Sequence, residues 1–419
     1  MFLHPTKSQE STLEITSDRL NLIVASTLFV AALGIYGVSD LLVGRAQSPM
    51  AAYFQYLADA FLHGRLYVVD TPSHNDLTFF AGHWYVGFPP LAALLLMPWV
   101  ALRGVAHVNT VLFGAAVGAF NVALAFLLLQ SLAQRKWTKL SLIDNVWLTV
   151  LFGLGSVHWH AATQGTVWHL GSLCAVPFML LAVWFGVTTG SPLLSGGGMA
   201  VAMLSRPHVV FSYPVLAGIA FQQIRDKMTR DKWYALLRWV ILSGIPIGLT
   251  VALLLIYNYA RFGHAFDFGY YTMNIDPAAA RDLHTYGQFS THYFLHNLWT
   301  MLFEGPDWNP ALNRPVLSAN GLSLIFTMPI LVYLLRVGKH AIFVAGAWTA
   351  VGFMLVPLLT YFNTGFEQFG YRYSLDFIAP LLVLLAVAVE ENRGWQMRVL
   401  VMIGVLVNAW GVWWFRFFV

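Results

Sequence analysis

Charge is what this sequence lacks most. Asp, Glu, Lys and Arg together make up 10% of the 419 residues, against about a quarter in a soluble globular domain. A chain of this size that is also 58% hydrophobic has too little polar surface to face water all round. Cysteine is nearly absent. The sole one, Cys174, excludes an intramolecular disulfide framework and a cysteine-based metal site. Its apolar setting suits a small packing residue. Alternating ten-residue segments, the mark of a membrane β-barrel, are missing. A phosphate-binding loop is missing too: Gly196-Gly197-Gly198 lacks the lysine and the strand–helix setting, and suits close helix packing instead. Use of ATP on this chain is therefore not expected. The formal charge of +4 gives no reason to expect nucleic acid and fits basic loops at an anionic membrane surface.

What is present is a series of long apolar runs. About 20 apolar residues are needed to cross a hydrocarbon core as a helix. The runs predict an all-α polytopic membrane protein with about eleven (10–12) spans, at 21–39, 89–103, 110–132, 143–157, 167–188, 194–222, 239–258, 318–336, 341–361, 374–390 and 398–417. Residues 1–20 are mostly polar and read as a cytoplasmic tail rather than a cleaved leader. The chain then divides into a membrane module over 21–258 containing an outer loop at 40–88, a second outer loop at 259–317, and C-terminal membrane helices over 318–419. The dense basic cluster Arg225, Lys227, Arg230, Lys232 and Arg238 is placed in the cytoplasm, as are Arg336 with Lys339 and Arg393 with Arg398. Arg135, Lys136 and Lys139 fall on the opposite side and disagree. The 194–222 run holds Ser205-Arg206-Pro207-His208 in its middle, so a break is expected there. One kinked crossing is the reading adopted; a hairpin of two short helices is the alternative.

Several polar groups stand out against this background. Asp40 ends the first span, where a carboxylate at the edge of hydrocarbon needs a partner or a task. Residues 53–66 carry apolar side chains at helical spacing up to Gly64, which predicts an interfacial helix in the first outer loop. Asp59 and His63 share a face of it. They suit a surface ion pair, and with Asp76 they could hold a divalent metal, although no cofactor is demanded. His158, His160 and His169 have no matching carboxylate nearby in sequence and give a weak metal signal. Arg206 lies inside an apolar run and is expected to face an internal polar site. Arg261 lies in Tyr257-Asn258-Tyr259-Ala260-Arg261-Phe262-Gly263, and Arg372 in Gly370-Tyr371-Arg372-Tyr373. An arginine fork flanked by tyrosines suits phosphate recognition. Tyr85, Tyr371 and Tyr373 complete the candidate substrate contacts.

In their order along the chain these elements resemble the GT-C superfamily of membrane glycosyltransferases, such as the protein O-mannosyltransferases and the aminoarabinose transferase of lipid A. The resemblance runs over most of the chain. It comprises a first span ending in an acidic residue, a long outer loop with an interfacial helix, and a second span marked by Pro89-Pro90. Leu204-Ser205-Arg206-Pro207, the Tyr-Asn-Tyr-Ala-Arg-Phe-Gly segment and Gly-Tyr-Arg-Tyr follow. It implies a sugar donor on a polyprenyl phosphate, a lipid or glycan acceptor, and a site on the outer face of a bacterial inner membrane. It also implies that Asp40 is the general base and that Arg206 and Arg372 contact the lipid phosphate. The family often has paired acidic residues where this chain has Ser39-Asp40-Leu41, a single carboxylate. A transporter or flippase of a lipid-linked sugar, and a non-catalytic assembly subunit, are the competing functions.

Overall fold

The computed structural model describes residues 7–417 except 46, 228–229, 312, 339–340, 366–367 and 391–392, so Lys339 lies outside the described residues. The chain is an all-helical polytopic membrane protein. In order it forms α1 (Lys7–Leu42), α2 (Phe54–Leu62), a hairpin of β1 (Leu77–Phe80) and β2 (His83–Val86), α3 (Leu91–Arg103), α4 (Thr110–Gln134), α5 (Leu142–Leu154), α6 (His158–Ala162) and α7 (Val167–Thr188). Next come α8 (Pro192–Met203), α9 (Tyr213–Asp226), α10 (Lys232–Phe262), α11 (Pro277–Tyr286), α12 (Phe294–Leu302) and a hairpin of β3 (Asp307–Asn309) and β4 (Arg314–Val316). The last elements are α13 (Leu324–Thr327), α14 (Ile342–Thr360), α15 (Ile378–Ala388) and α16 (Trp395–Phe417).

Among the described residues six helices are long and apolar enough to cross a membrane: α1 from Asp18 onward, α4, α7, α10, α14, and α16 over Trp395–Trp413. The central pair is α4 and α7, with 61% and 78% of their most apolar stretches buried, against 22% in α1 and α10. The outer helices show Leu22, Val30, Leu41, Leu249 and Ile256 to their surroundings. That exposure is unremarkable in lipid, whose tails are as apolar as leucine. Polar caps start the inner helices: the Asn109 side chain accepts from the Val111 and Leu112 N–H groups, and Ser141 with Asp144 forms a capping box on α5.

The expected 194–222 segment breaks where the sequence places the break. α8 stops at Met203, residues 207–212 form a 3-10 turn, and α9 follows. The two halves pack on different neighbours, α8 on α7 and α10, α9 chiefly on α14. The glycine run behaves as a packing device. A methyl group on Gly196 would sit 2.0 Å from the Ser243 carbonyl oxygen of α10, and one on Gly198 would sit 2.8 Å from the Ala182 nitrogen of α7.

Two expectations need correction. The 318–336 run is not a continuous helix: it contains only α13 and a 3-10 turn over 329–336. Pro329 lacks an N–H and drives Met328 to φ −136°, ψ 69°. The Thr327 carbonyl freed there accepts a bond from Asn408 of α16. The 374–390 run begins as a 3-10 turn over 372–377, leaving α15 with 11 residues. A helix that long measures about 16 Å, roughly half the hydrocarbon thickness, and all but one of its residues are buried in the protein. The polar segment before the first span is helical from Lys7. The interfacial helix forms as α2, packs on α3, and ends just before Gly64 at φ 67°.

Candidate active site

Arg206 owes its place to the break after α8. Preceding Pro207, it is held extended at φ −141°, ψ 91°. The backbone groups at the break find other partners, as a membrane interior requires. The Leu204 carbonyl accepts from Leu91 at the head of α3, and the Ser205 hydroxyl donates to the Gly171 carbonyl. The Arg206 guanidinium then donates to the Ser172 hydroxyl oxygen from Nε (3.1 Å) and Nη2 (2.6 Å).

Arg372 is delivered by a different device. The strand-like pairing of Leu322 with Gly370 holds 369–371 extended, with Leu322 N–H donating to the Phe369 carbonyl and Tyr371 N–H to the Leu322 carbonyl. Gly370 is required there, because a methyl group would lie 2.8 Å from both Thr327 and Val157. The Arg372 N–H donates to the Gln368 side chain and its Nη1 to the Gly365 carbonyl at 3.0 Å. Its guanidinium carbon stands 5.2 Å from the centre of the Tyr373 ring, and that of Arg206 stands 5.5 Å from the same ring.

Arg206, Arg372, Tyr373 and Asp76 line one cavity of about 790 Å³. Asp76 comes from the first outer loop. It sits in the left-handed region at φ 59°; its N–H donates to the Asn274 carbonyl of the second outer loop at 2.8 Å, and the Asn274 N–H donates to the carbonyl of the next residue, Leu77, also at 2.8 Å. Its Oδ2 accepts from the Trp168 indole N–H at 2.6 Å. Another wall comes from α11 and the turns beside it, which contribute Asp276, Asp282 and Tyr270. Tyr270 is half-buried and hydrogen-bonded to Tyr361, and loss of solvent around its hydroxyl raises it above the ordinary range, so it remains a neutral phenol. The cavity thus offers two guanidinium groups, carboxylates and neutral hydroxyls, a set able to bind an anion beside a polyol.

The other candidates lie off this wall. Asp40 is buried near the end of α1, and neither carboxylate oxygen has a hydrogen-bond partner. Its one charged neighbour of note is Arg45. Arg261 is 4% exposed and ties α10 to the first outer loop, donating to the Val86 carbonyl (2.8 Å) and the Asn258 side chain (2.7 Å) over the Tyr257 ring. Tyr85 packs edge-on against Phe262, and Tyr371 is wholly buried beside Tyr373. Asp59 forms an ion pair with Arg65 (3.0 Å) and lies 3.3 Å from His63 Nδ1 at a partly exposed position. Among the described residues no group of three or more His, Cys, Asp or Glu could hold a metal ion. The His160 and His169 rings meet edge to face at 5.3 Å. Burial, with Arg45 and Arg372 nearby, keeps the His160 imidazole neutral far below its usual pKa.

Sequence reasoning missed Asp376, Trp168, Tyr270 and the acidic face of α11. Asp376 carried a usable signal, a carboxylate within four residues of Arg372 at the head of an apolar run. The β1–β2 hairpin had one too, in Leu-Thr-Phe-Phe-Ala-Gly-His-Trp-Tyr-Val, where aromatic and branched residues flank a turn with positive φ at Ala81 and Gly82.

No family model matches the chain, and no curated protein matches it. Among solved structures it is similar to the crystal structure of ArnT from Cupriavidus metallidurans bound to undecaprenyl phosphate, with a TM-score of 0.49 and 15% identity. The similarity covers 92% of this chain and 63% of that one, so the chain spans less than two thirds of that protein's length.

Proposed function

We propose that the protein is a GT-C-type glycosyltransferase that moves a sugar from a polyprenyl phosphate to an acceptor hydroxyl on the outer face of a bacterial inner membrane. The observation that carries this reading is the convergence of Arg206 and Arg372 on one cavity that also holds the Asp76 carboxylate. In such a reaction the acceptor oxygen bonds to the anomeric carbon while the bond from that carbon to the phosphate oxygen breaks. The polyprenyl phosphate leaves with the bonding electrons, and a carboxylate takes the acceptor proton. Two fixed guanidinium groups stabilise the charge that grows on the leaving phosphate. Neutralisation by arginine removes the need for a metal ion at that step.

Two carboxylates compete for the role of base. Asp76 is favoured by its position on the cavity wall. Asp40 is favoured by its chain position and by its burial with no hydrogen-bond partner, an expensive arrangement for a group without a task. Asp76→Asn and Asp40→Asn, assayed for transfer from a polyprenyl-phosphate sugar, separate them: the base variant loses turnover while still binding undecaprenyl phosphate.

Binding itself tests the larger reading. Purified protein in detergent is expected to bind undecaprenyl phosphate saturably, and the Arg206→Ala/Arg372→Ala double variant to lose that binding. Equal binding by the double variant would remove the cavity from the proposal. Uptake of the lipid-linked sugar into proteoliposomes with no covalent product would replace enzyme with transporter.

A further inference from the structure

Arg206 is held from behind. The side chain of Asp376 is fully buried, and its two oxygens are divided between two partners: Oδ1 lies 3.4 Å from Arg206 Nε, and Oδ2 lies 2.8 Å from His208 Nε2. Ser172 takes the Nε and Nη2 hydrogens of the same guanidinium. Among the described residues this leaves Nη1 as the nitrogen of Arg206 with no hydrogen bond, on a side chain that lines the cavity. One edge of the planar fork is thus fixed by Asp376 and Ser172, and the remaining edge is free for a ligand.

Asp376 lies at the far end of the 3-10 turn that begins with Arg372. This short segment therefore sets both cavity cations, Arg372 directly and Arg206 through Asp376. His208, two residues beyond Arg206, closes the arrangement by anchoring the second carboxylate oxygen.

We infer that Asp376 is a positioning residue that aims Arg206 at an anionic phosphate in the cavity, with His208 and Ser172 as its anchors. The inference rests on the proposed lipid-phosphate reading. Its sign separates it from a purely electrostatic role. A carboxylate beside Arg206 lowers the local positive potential, so by charge alone its removal would tighten anion binding. Removal of a positioning group weakens binding instead, because the guanidinium leaves its productive geometry.

The experiment is equilibrium binding of undecaprenyl phosphate, with undecaprenol as the uncharged control, to purified protein in detergent. Asp376→Asn is expected to weaken undecaprenyl phosphate binding by roughly tenfold to a hundredfold, with undecaprenol binding unchanged. Unchanged or tighter binding of the phosphate overturns the inference, and so does an equal loss for both lipids, which marks general damage. Asp376→Asn leaves Arg206 without its counter-ion and could fail to fold. Ser172→Ala then decides, since it removes one anchor and keeps every charge. It is expected to show the same selective weakening, and wild-type affinity in that variant overturns the inference. A wild-type protein that binds no undecaprenyl phosphate removes the parent reading and this one together. Wild-type binding with unaffected variants removes this one alone.

Discussion

Replacing Gly196 with alanine should damage both stability and the site, although Gly196 is not a cavity residue. The methyl group would be built 2.0 Å from the Ser243 carbonyl oxygen and 2.7 Å from its carbon, whereas ordinary contact begins at 3.4 Å. The obstacle is backbone, so no side-chain rotation relieves it. α8 and α10 must part by more than an ångström. Overpacking of this kind costs about 1–3 kcal/mol. α8 leads directly into Leu204-Ser205-Arg206, so the displacement also reaches the guanidinium. A misplacement of about 1 Å can lower activity roughly a hundredfold. Gly197 is the internal control, because nothing lies within 4 Å of a methyl group built there. Gly198 should resemble Gly196 in milder form, with its contact at 2.8 Å on the α7 side. The assay is thermal unfolding in detergent with undecaprenyl phosphate binding measured on the same samples. Gly196→Ala should melt earlier and bind more weakly, while Gly197→Ala matches wild type. Equal behaviour of these two variants would refute the packing argument.

Other substitutions and conditions test the placement of the remaining charges. Arg261→Gln should lower stability by about 1.5–3 kcal/mol through loss of charge-assisted bonds to Val86 and Asn258, with undecaprenyl phosphate affinity retained; a selective loss of affinity would return Arg261 to the site. Arg372→Lys keeps the charge but loses the planar fork over Tyr373 and the Gly365 contact, so binding should weaken by about 1.5–3 kcal/mol; unchanged affinity would show that only charge matters there. His160 titrates far below its usual range in the fold. Below about pH 6.5 the unfolded chain therefore binds a proton that the folded chain does not. Its contribution to stability is complete above that pH and declines as pH falls, by up to about 1.4 kcal/mol per unit. Melting from pH 7.5 to pH 5 should fall more steeply for wild type than for His160→Asn, and parallel curves would sink this assignment.

Much of the membrane architecture is legible in the sequence because its causes are local. Apolar length fixes α4, α7, α10, α14 and α16, and Pro207 beside Arg206 marks the break after α8. Gly64 ends α2 for an equally local reason. The failures arise where a distant partner overrides the local pattern. Residues 318–336 are largely apolar, yet Pro329 and the bond from Asn408 keep them from forming one helix. The site shows the same division. Arg206 and Arg372 can be picked out because each is an arginine in an apolar setting. Their meeting over Tyr373 depends on how the 3-10 turn at 372–377 packs on the break after α8, which no local spacing encodes. Asp76 reaches the same cavity only because Asn274, from a loop some two hundred residues later, pairs with its backbone.

Asp376 and Asp40 are both buried carboxylates, and the contrast between them is informative. Burial of Asp376 is explained by His208, which is hydrogen-bonded to Oδ2, and by the Arg206 guanidinium, whose charge lies 3.4 Å from Oδ1. Asp40 has no hydrogen-bond partner at either oxygen. Burying a carboxyl group without a hydrogen bond costs roughly 1–3 kcal/mol, and more when the group is ionised. A functional Asp40 therefore makes a specific prediction about stability. Asp40→Asn keeps the shape and cannot ionise, so at alkaline pH it should raise the melting temperature of the ligand-free protein while lowering transfer. A gain in stability with full transfer would leave Asp76 as the base and make Asp40 a packing residue. A loss of stability would mean that Arg45 compensates Asp40 in the fold, and the argument from its unpartnered oxygens would fall.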